Sequence, residues 1–188
     1  MRQNYLLIFR KPGSASNDRR GVQMAENEVL YEADDHALPW RLITDGVMGG
    51  LSSGTLRTAR IADRACLRLR GQVRLDNNGG FVQMASDLNG GAPLDASAYR
   101  GLAIDVHGNG QGYKLHLRTD ATTLPWQSYR ADFTAGPQWE RLHIPFADFR
   151  PHRLDAPLDT RRLRRLGLVA IGRAFEADLC LARLALYR

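Results

Sequence analysis

Cysteine is nearly absent from this 188-residue chain. Cys66 and Cys180 are the only two, too few for a disulfide framework or a Cys-rich zinc site. Both lie in apolar stretches of strand character, where a buried thiol is inert and not an activated nucleophile. Long apolar runs are missing as well. None approaches the ~18 residues that a membrane span needs, and Tyr5–Phe9 is too short for a secretory signal and lacks a small-residue cleavage site after it. The five histidines, at 36, 107, 116, 143 and 152, fit no His-Glu-x-x-His pattern, and no Gly-x-Ser-x-Gly elbow occurs. Asp105 with His107 or His116 could be assembled into an acid–base pair, but their spacing does not separate that from ordinary sheet-surface chemistry. No catalytic residue, metal or cofactor is therefore assigned, and an enzyme of unknown reaction stays as a minority reading.

What is present is globular composition, with 44% hydrophobic and 24% charged residues, in a length suited to one domain. The formal net charge of +6 comes from 24 Arg and 2 Lys against 20 acidic residues, and its distribution is uneven. Residues 1–30 carry five basic and three acidic side chains, residues 150–165 six and two, and the rest balance. The densest run is Arg161, Arg162, Arg164 and Arg165, a basic patch suited to an acidic protein surface. Aromatics that would stack on bases are not interleaved with it, which makes nucleic acid an unlikely partner. Residues 1–23 read as a loosely ordered extension, residues 24–188 as one domain, and the whole as a cytoplasmic protein.

From Trp40 onward, short segments bounded by Gly, Pro, Asn or Asp alternate in polarity, with hardly any helical period. Strands are expected at 54–60, 65–75, 80–86, 101–107, 112–119, 127–133, 139–144, 165–171 and 178–187, and short helical pieces at 95–99 and 159–164. Gly108-Asn109-Gly110 has the character of a hairpin turn joining two of the strands. The pattern points to an all-β antiparallel sandwich or barrel. An irregular loop at 145–164, rich in proline, is expected to wrap it.

Two glycine-rich stretches stand out, Asp45-Gly46-Val47-Met48-Gly49-Gly50 and Asn77-Asn78-Gly79-Gly80-Phe81. Trp40 precedes the first. Tyr99-Arg100-Gly101-Leu102 follows the second, then Gly108-Asn109-Gly110-Gln111-Gly112-Tyr113, Leu117-Arg118-Thr119, Trp139, Ile144-Pro145-Phe146 and Leu166-Gly167-Leu168. In this order, over about residues 38–187, the chain resembles the complex I intermediate-associated protein 30 family, in its bacterial, stand-alone type. The resemblance implies a galactose-binding-like jelly-roll β-sandwich. It also implies a non-catalytic assembly factor or chaperone-like protein-interaction module, with respiratory-complex subunits or assembly intermediates as partners.

The first glycine-rich stretch lacks the ending of a P-loop and the spacing of a dinucleotide turn. It reads first as a tight turn with Val47 and Met48 as a hydrophobic plug, and alternatively as a loop tip offering Met48 to a partner. The second reads as a turn, although its side-chain oxygens with Asp45 or Asp76 could ligate Ca²⁺. Binding candidates here are Asp45, Met48 and Asn78. The alternation at 102–118 supplies the rest: if its apolar residues face the core, Asp105, His107, Lys114, His116 and Arg118 share the opposite face. Arg118 would then be a bidentate donor, with Trp126 or Tyr129 as a stacking surface. Such a face suits a protein, a carboxylate ligand or a sugar, so a carbohydrate-binding module is the alternative function.

Overall fold

The computed structural model describes residues 26–35 and 37–188. The extension expected at 1–23 and His36 lie outside the described residues. Twelve strands follow one another: β1 Glu26–Glu32, β2 Arg41–Thr44, β3 Ser53–Ile61, β4 Arg64–Val73, β5 Phe81–Asp87 and β6 Gly101–Gly108. Then come β7 Gln111–Thr119, β8 Ser128–Ala135, β9 Glu140–Pro145, β10 Arg150–His152, β11 Leu163–Ile171 and β12 Phe175–Tyr187. They form two six-stranded antiparallel sheets. The first runs β3-β4-β12-β6-β9, with β1 also on β12, and the second runs β10-β8-β7-β11-β5-β2. The long β12 explains the first sheet: β6 lines one of its edges, while β4 and then β1 share the other.

Each sheet turns one side of its pleat inward. Leu69, Leu102, Ile104, Leu179 and Leu181 from the first sheet meet Val82, Met84, Leu115, Leu117, Leu166 and Leu168 from the second in one core. This is the period-2 pattern of strands with one buried face. All nine expected strands are present, with shifted ends. β1, β2 and the short β10 are additions, the last replacing part of the irregular loop expected at 145–164. Residues 95–99 hold only a turn at 97–98, and 159–164 contains the 3-10 turn Thr160–Arg162 and the start of β11.

The expected hairpin over Gly108–Gly110 is not formed, because β6 and β7 belong to different sheets. The Gly-Asn-Gly turn is a corner that carries the chain across the sandwich. There Gly108 N–H and Gly110 N–H donate to the carbonyls of Gly136 (2.7 Å) and Ala135 (2.8 Å). A Cβ on Gly108 would stand 2.7 Å from that of Ala135, and Gly110 has φ +79°, so the corner needs glycine at both places. Strand polarity reports which face is buried, not which sheet a strand joins.

Candidate binding cleft

The first consequence of that corner is that the single polar face expected from 102–118 is two faces with the core between them. Asp105 and His107 lie on the outer side of the first sheet. Asp105 is buried, held by Arg64 and by Arg141 (Nε to Oδ1 2.6 Å, Nη2 to Oδ2 2.9 Å). Burial opposes its charge, but the two guanidinium groups outweigh it and keep the carboxyl below the usual carboxylate range. His107 packs against Trp139, with ring centroids 5.5 Å apart, next to the buried Cys66 and Cys180. Around these residues this side is filled by its own side chains, and a shallower hollow of about 310 Å³ lies over Ser53, Thr55, Arg70, Gln72 and Glu176.

Lys114, His116 and Arg118 lie on the outer side of the second sheet, and there the surface is hollow. A cleft of about 690 Å³ is floored by outward residues of β5, β11, β7 and β8, among them Gln83, Gly167, His116, Arg118 and Arg130. Strand register fixes the floor: Gly167 stands opposite both Ala85 and His116, and His116 opposite Arg130. Gly167 brings no side chain of its own to the centre, and the Gln83 carboxamide lies over it, with Oε1 2.6 Å from where a Cβ would stand. Lys114 is bonded to Asp132, its partner across the strands.

Three loops form the rim. The first two are the glycine-rich stretches, and Asp45 joins them. Its carboxylate is fully buried and accepts from Ser52 N–H (2.9 Å), Ser52 Oγ (2.5 Å), Gly80 N–H (2.5 Å) and Phe81 N–H (3.4 Å). Burial opposes the charge, yet bonds from the Ser52 hydroxyl and from the Gly80, Ser52 and Phe81 amides hold the carboxyl below its usual range. A Cβ on Gly50 would come within 2.3 Å of the Asp45 carboxyl carbon, and one on Gly79 within 2.5 Å of its Oδ2. These glycines are therefore the walls of a carboxylate pocket, and Asp45 pins the loops instead of facing a ligand. Asp76 bonds Arg74 (2.9 Å), and no group of three or more metal-ligating side chains occurs among the described residues. Asn78 belongs to the 3-10 turn Asp76–Asn78 of the second loop; its neighbour Asn77 donates to the Gly49 carbonyl (3.1 Å).

With the backbone so pinned, Val47 (76% exposed) and Met48 (61%) project outward at the rim. The hydrophobic plug expected of them is not formed; the loop-tip reading describes their position. Leu75 on the second loop is likewise exposed and lines the cleft.

The third rim loop, 120–127, carries Trp126, which is 52% exposed. Arg118 holds it: Nη2 donates to the carbonyls of Thr122 (2.9 Å) and Leu124 (3.0 Å), and Nη1 to that of Pro125 (3.1 Å). Arg118 is thus a clamp on the loop and does not have its fork free as a bidentate donor. Tyr129 is corrected as well. It points inward, fully buried, and its hydroxyl donates to the carbonyls of Ala156 (3.0 Å) and Pro157 (3.1 Å). β8 presents Ser128 and Arg130 to the cleft instead. The arginine run is largely neutralised: Arg161 bonds Asp159, while Arg162 and Arg164 share Asp120. Arg165 enters the cleft, where it shares Asp87 with Arg41.

The family model for complex I intermediate-associated protein 30 matches residues 29–181, which includes every loop and strand of the cleft. The chain belongs to the complex I intermediate-associated protein 30 family. A comparison with curated proteins finds no match. Among solved structures, the fold is similar to the family 11 carbohydrate-binding module of cellulosomal cellulase Lic26A-Cel5E of Clostridium thermocellum. The TM-score is 0.68 at 14% identity, over 87% of this chain and 95% of that one. The same organism's family 11 module in complex with a β-1,3-1,4-mixed-linked tetrasaccharide gives 0.67 at 15% identity, over 87% and 96%. The family 30 module of its cellulase Cel9D-Cel44B gives 0.62 at 16%, over 84% and 95%. The fold is a galactose-binding-like β-sandwich. No helix among the described residues is long and apolar enough to cross a membrane.

Proposed function

We propose that this protein is a non-catalytic assembly or interaction module that holds an extended segment of a partner protein in the cleft over its second sheet. The carrying observation is the position and kind of the exposed apolar side chains. Among the described residues six large ones are strongly exposed: Val47, Met48, Leu51, Leu75, Leu124 and Trp126. All belong to the three rim loops or the residues next to them, and five of the six are not aromatic. A sugar ring is held by flat aromatic faces, whereas branched and thioether side chains suit the apolar side chains of a protein segment. The family's name points the same way, to an intermediate in the assembly of a multi-subunit complex such as respiratory complex I.

Carbohydrate binding is the second reading. It is supported by Trp126 beside Gln83 and Gln127 in the same cleft and by the resemblance in fold to carbohydrate-binding modules. Co-purification from the native host with wild type and with a Val47→Ser, Met48→Ser, Leu75→Ser variant separates the two. A reproducible partner lost with the triple variant is expected for the protein reading. Saturable binding of a mixed-linked glucan tetrasaccharide, abolished by Trp126→Ala, would instead establish the second.

A further inference from the structure

We propose that the cleft floor contains a carboxylate subsite, formed by Arg130 and His116 beside the fixed charge of Arg118, that takes an acidic side chain of the bound segment. The inference rests on the cleft being the binding face. Arg130 is half-buried on β8, and its Nε donates to Ser128 Oγ (2.9 Å). No protein acceptor is found for its two Nη groups among the described residues. Nor is either Arg130 or Arg118 ion-paired with a carboxylate among those residues. The other cations of this face have acids: Arg165 and Arg41 share Asp87, and Lys114 has Asp132.

His116 lies directly across from Arg130 on β7, and on its other side stands Gly167, over which the Gln83 carboxamide lies. The His116 Nε2 is buried without a hydrogen-bond partner. A half-desolvated guanidinium fork and an orphaned ring nitrogen side by side are costly to leave unmet. One planar carboxylate meets both. Its oxygens accept from the two Nη groups of Arg130 in the bidentate geometry that arginine favours, and the Nε2–H tautomer of His116 adds a third donor. Burial, with Arg130, Lys114 and His152 around it, pushes the imidazole down to about 3. Burial and Arg153 likewise lower Arg130. Burial is the larger cause in both, and the neighbouring charges that add to it are all basic. The aliphatic rim favours an Asp or Glu side chain over a uronate as the source of the carboxylate.

The test uses the full chain and follows Arg Nε–H and His ring signals by NMR. The probes are the N-acetyl methylamides of glutamate and glutamine, glucuronate and inorganic phosphate. Saturable shifts at Arg130 and His116 are expected with the glutamate derivative and none with the glutamine one. Arg130→Lys, which keeps the charge and loses the fork, should weaken the response about tenfold, and Arg161→Gln should leave it unchanged. Equal response to glutamine, tighter binding of phosphate or glucuronate, or shifts confined to Arg161 and Arg162 would overturn the subsite. Uptake of apolar peptides whether or not they carry an acid would overturn it while leaving the cleft reading intact. A saturable glutamate response with no peptide retained would overturn the cleft reading, and the acidic side-chain assignment with it.

Discussion

At the scale of single residues, the side chains that build the cleft do so by meeting demands inside the protein. Asp45 satisfies three backbone amides and a hydroxyl at once, and two glycines make room for it. Asp45→Asn replaces one acceptor oxygen with an amide NH₂ that faces donors, leaving buried N–H groups unmet. A loss of about 3 kcal/mol in urea unfolding is expected; a loss below about 1 kcal/mol would show that the loops hold without it. His116 gives a prediction in pH. The folded state keeps it neutral down to about 3, whereas an unfolded chain protonates it near 6.5. Between those values the unfolded state binds the extra proton, so stability falls as pH falls, with a slope of about 1.4 kcal/mol per pH unit in mid-window. In denaturant unfolding from pH 7 to pH 3.5 both proteins lose stability as their carboxylates protonate, and the wild type should be steeper than His116→Gln by about that slope; equal slopes would contradict it.

At the scale of elements, the rim loop 120–127 has no strand ladder of its own and depends on Arg118 from β7 and on Gln127. The Gln127 Oε1 accepts from the Thr123 and Leu124 amides at 3.0 Å. Arg118→Met keeps the apolar stem and removes three bonds to carbonyls. Amide exchange at Thr123, Leu124 and Gln127 should then quicken at least tenfold, with β7 itself unaffected. Elements are also where the sequence is most and least readable. Nine of the ten strands from residue 53 onward show their buried faces by alternation, the three-residue β10 being the exception. β1 and β2 escape because their polarity does not alternate cleanly, β1 carrying two register shifts against β12. The alternation of 127–133 fits either register, and only the burial of Tyr129 in the core shows that Ser128 and Arg130 face outward. The partners of the arginines at 161–165 are Asp87, Asp120 and Asp159. Two of these lie more than forty residues away in sequence, so the apparent patch could not be discounted from the run alone.

At the scale of the whole molecule, the two outer faces of the sandwich differ in kind. The outer side of the first sheet is occupied by its own side chains, the Asp105 ion pairs and the small cluster of Cys66, Cys180 and Trp139. The second sheet keeps a hollow floor and a rim of exposed apolar loops, an arrangement that leaves apolar surface in water, which the proposed partner segment would cover. The fold and the family were legible from the order of the glycine-rich motifs. The hollow face was not, because it depends on the corner at Gly108–Gly110 that sends β7 to the opposite sheet. The most direct test places a photo-crosslinking residue at Met48 or Trp126 in one set of variants and at Arg57, exposed on the outer side of β3 in the first sheet, in another, and compares the adducts formed in the native host. The same protein partner is expected from Met48 and Trp126, and none from Arg57. A partner captured from Arg57 while both cleft positions stay silent would contradict the account.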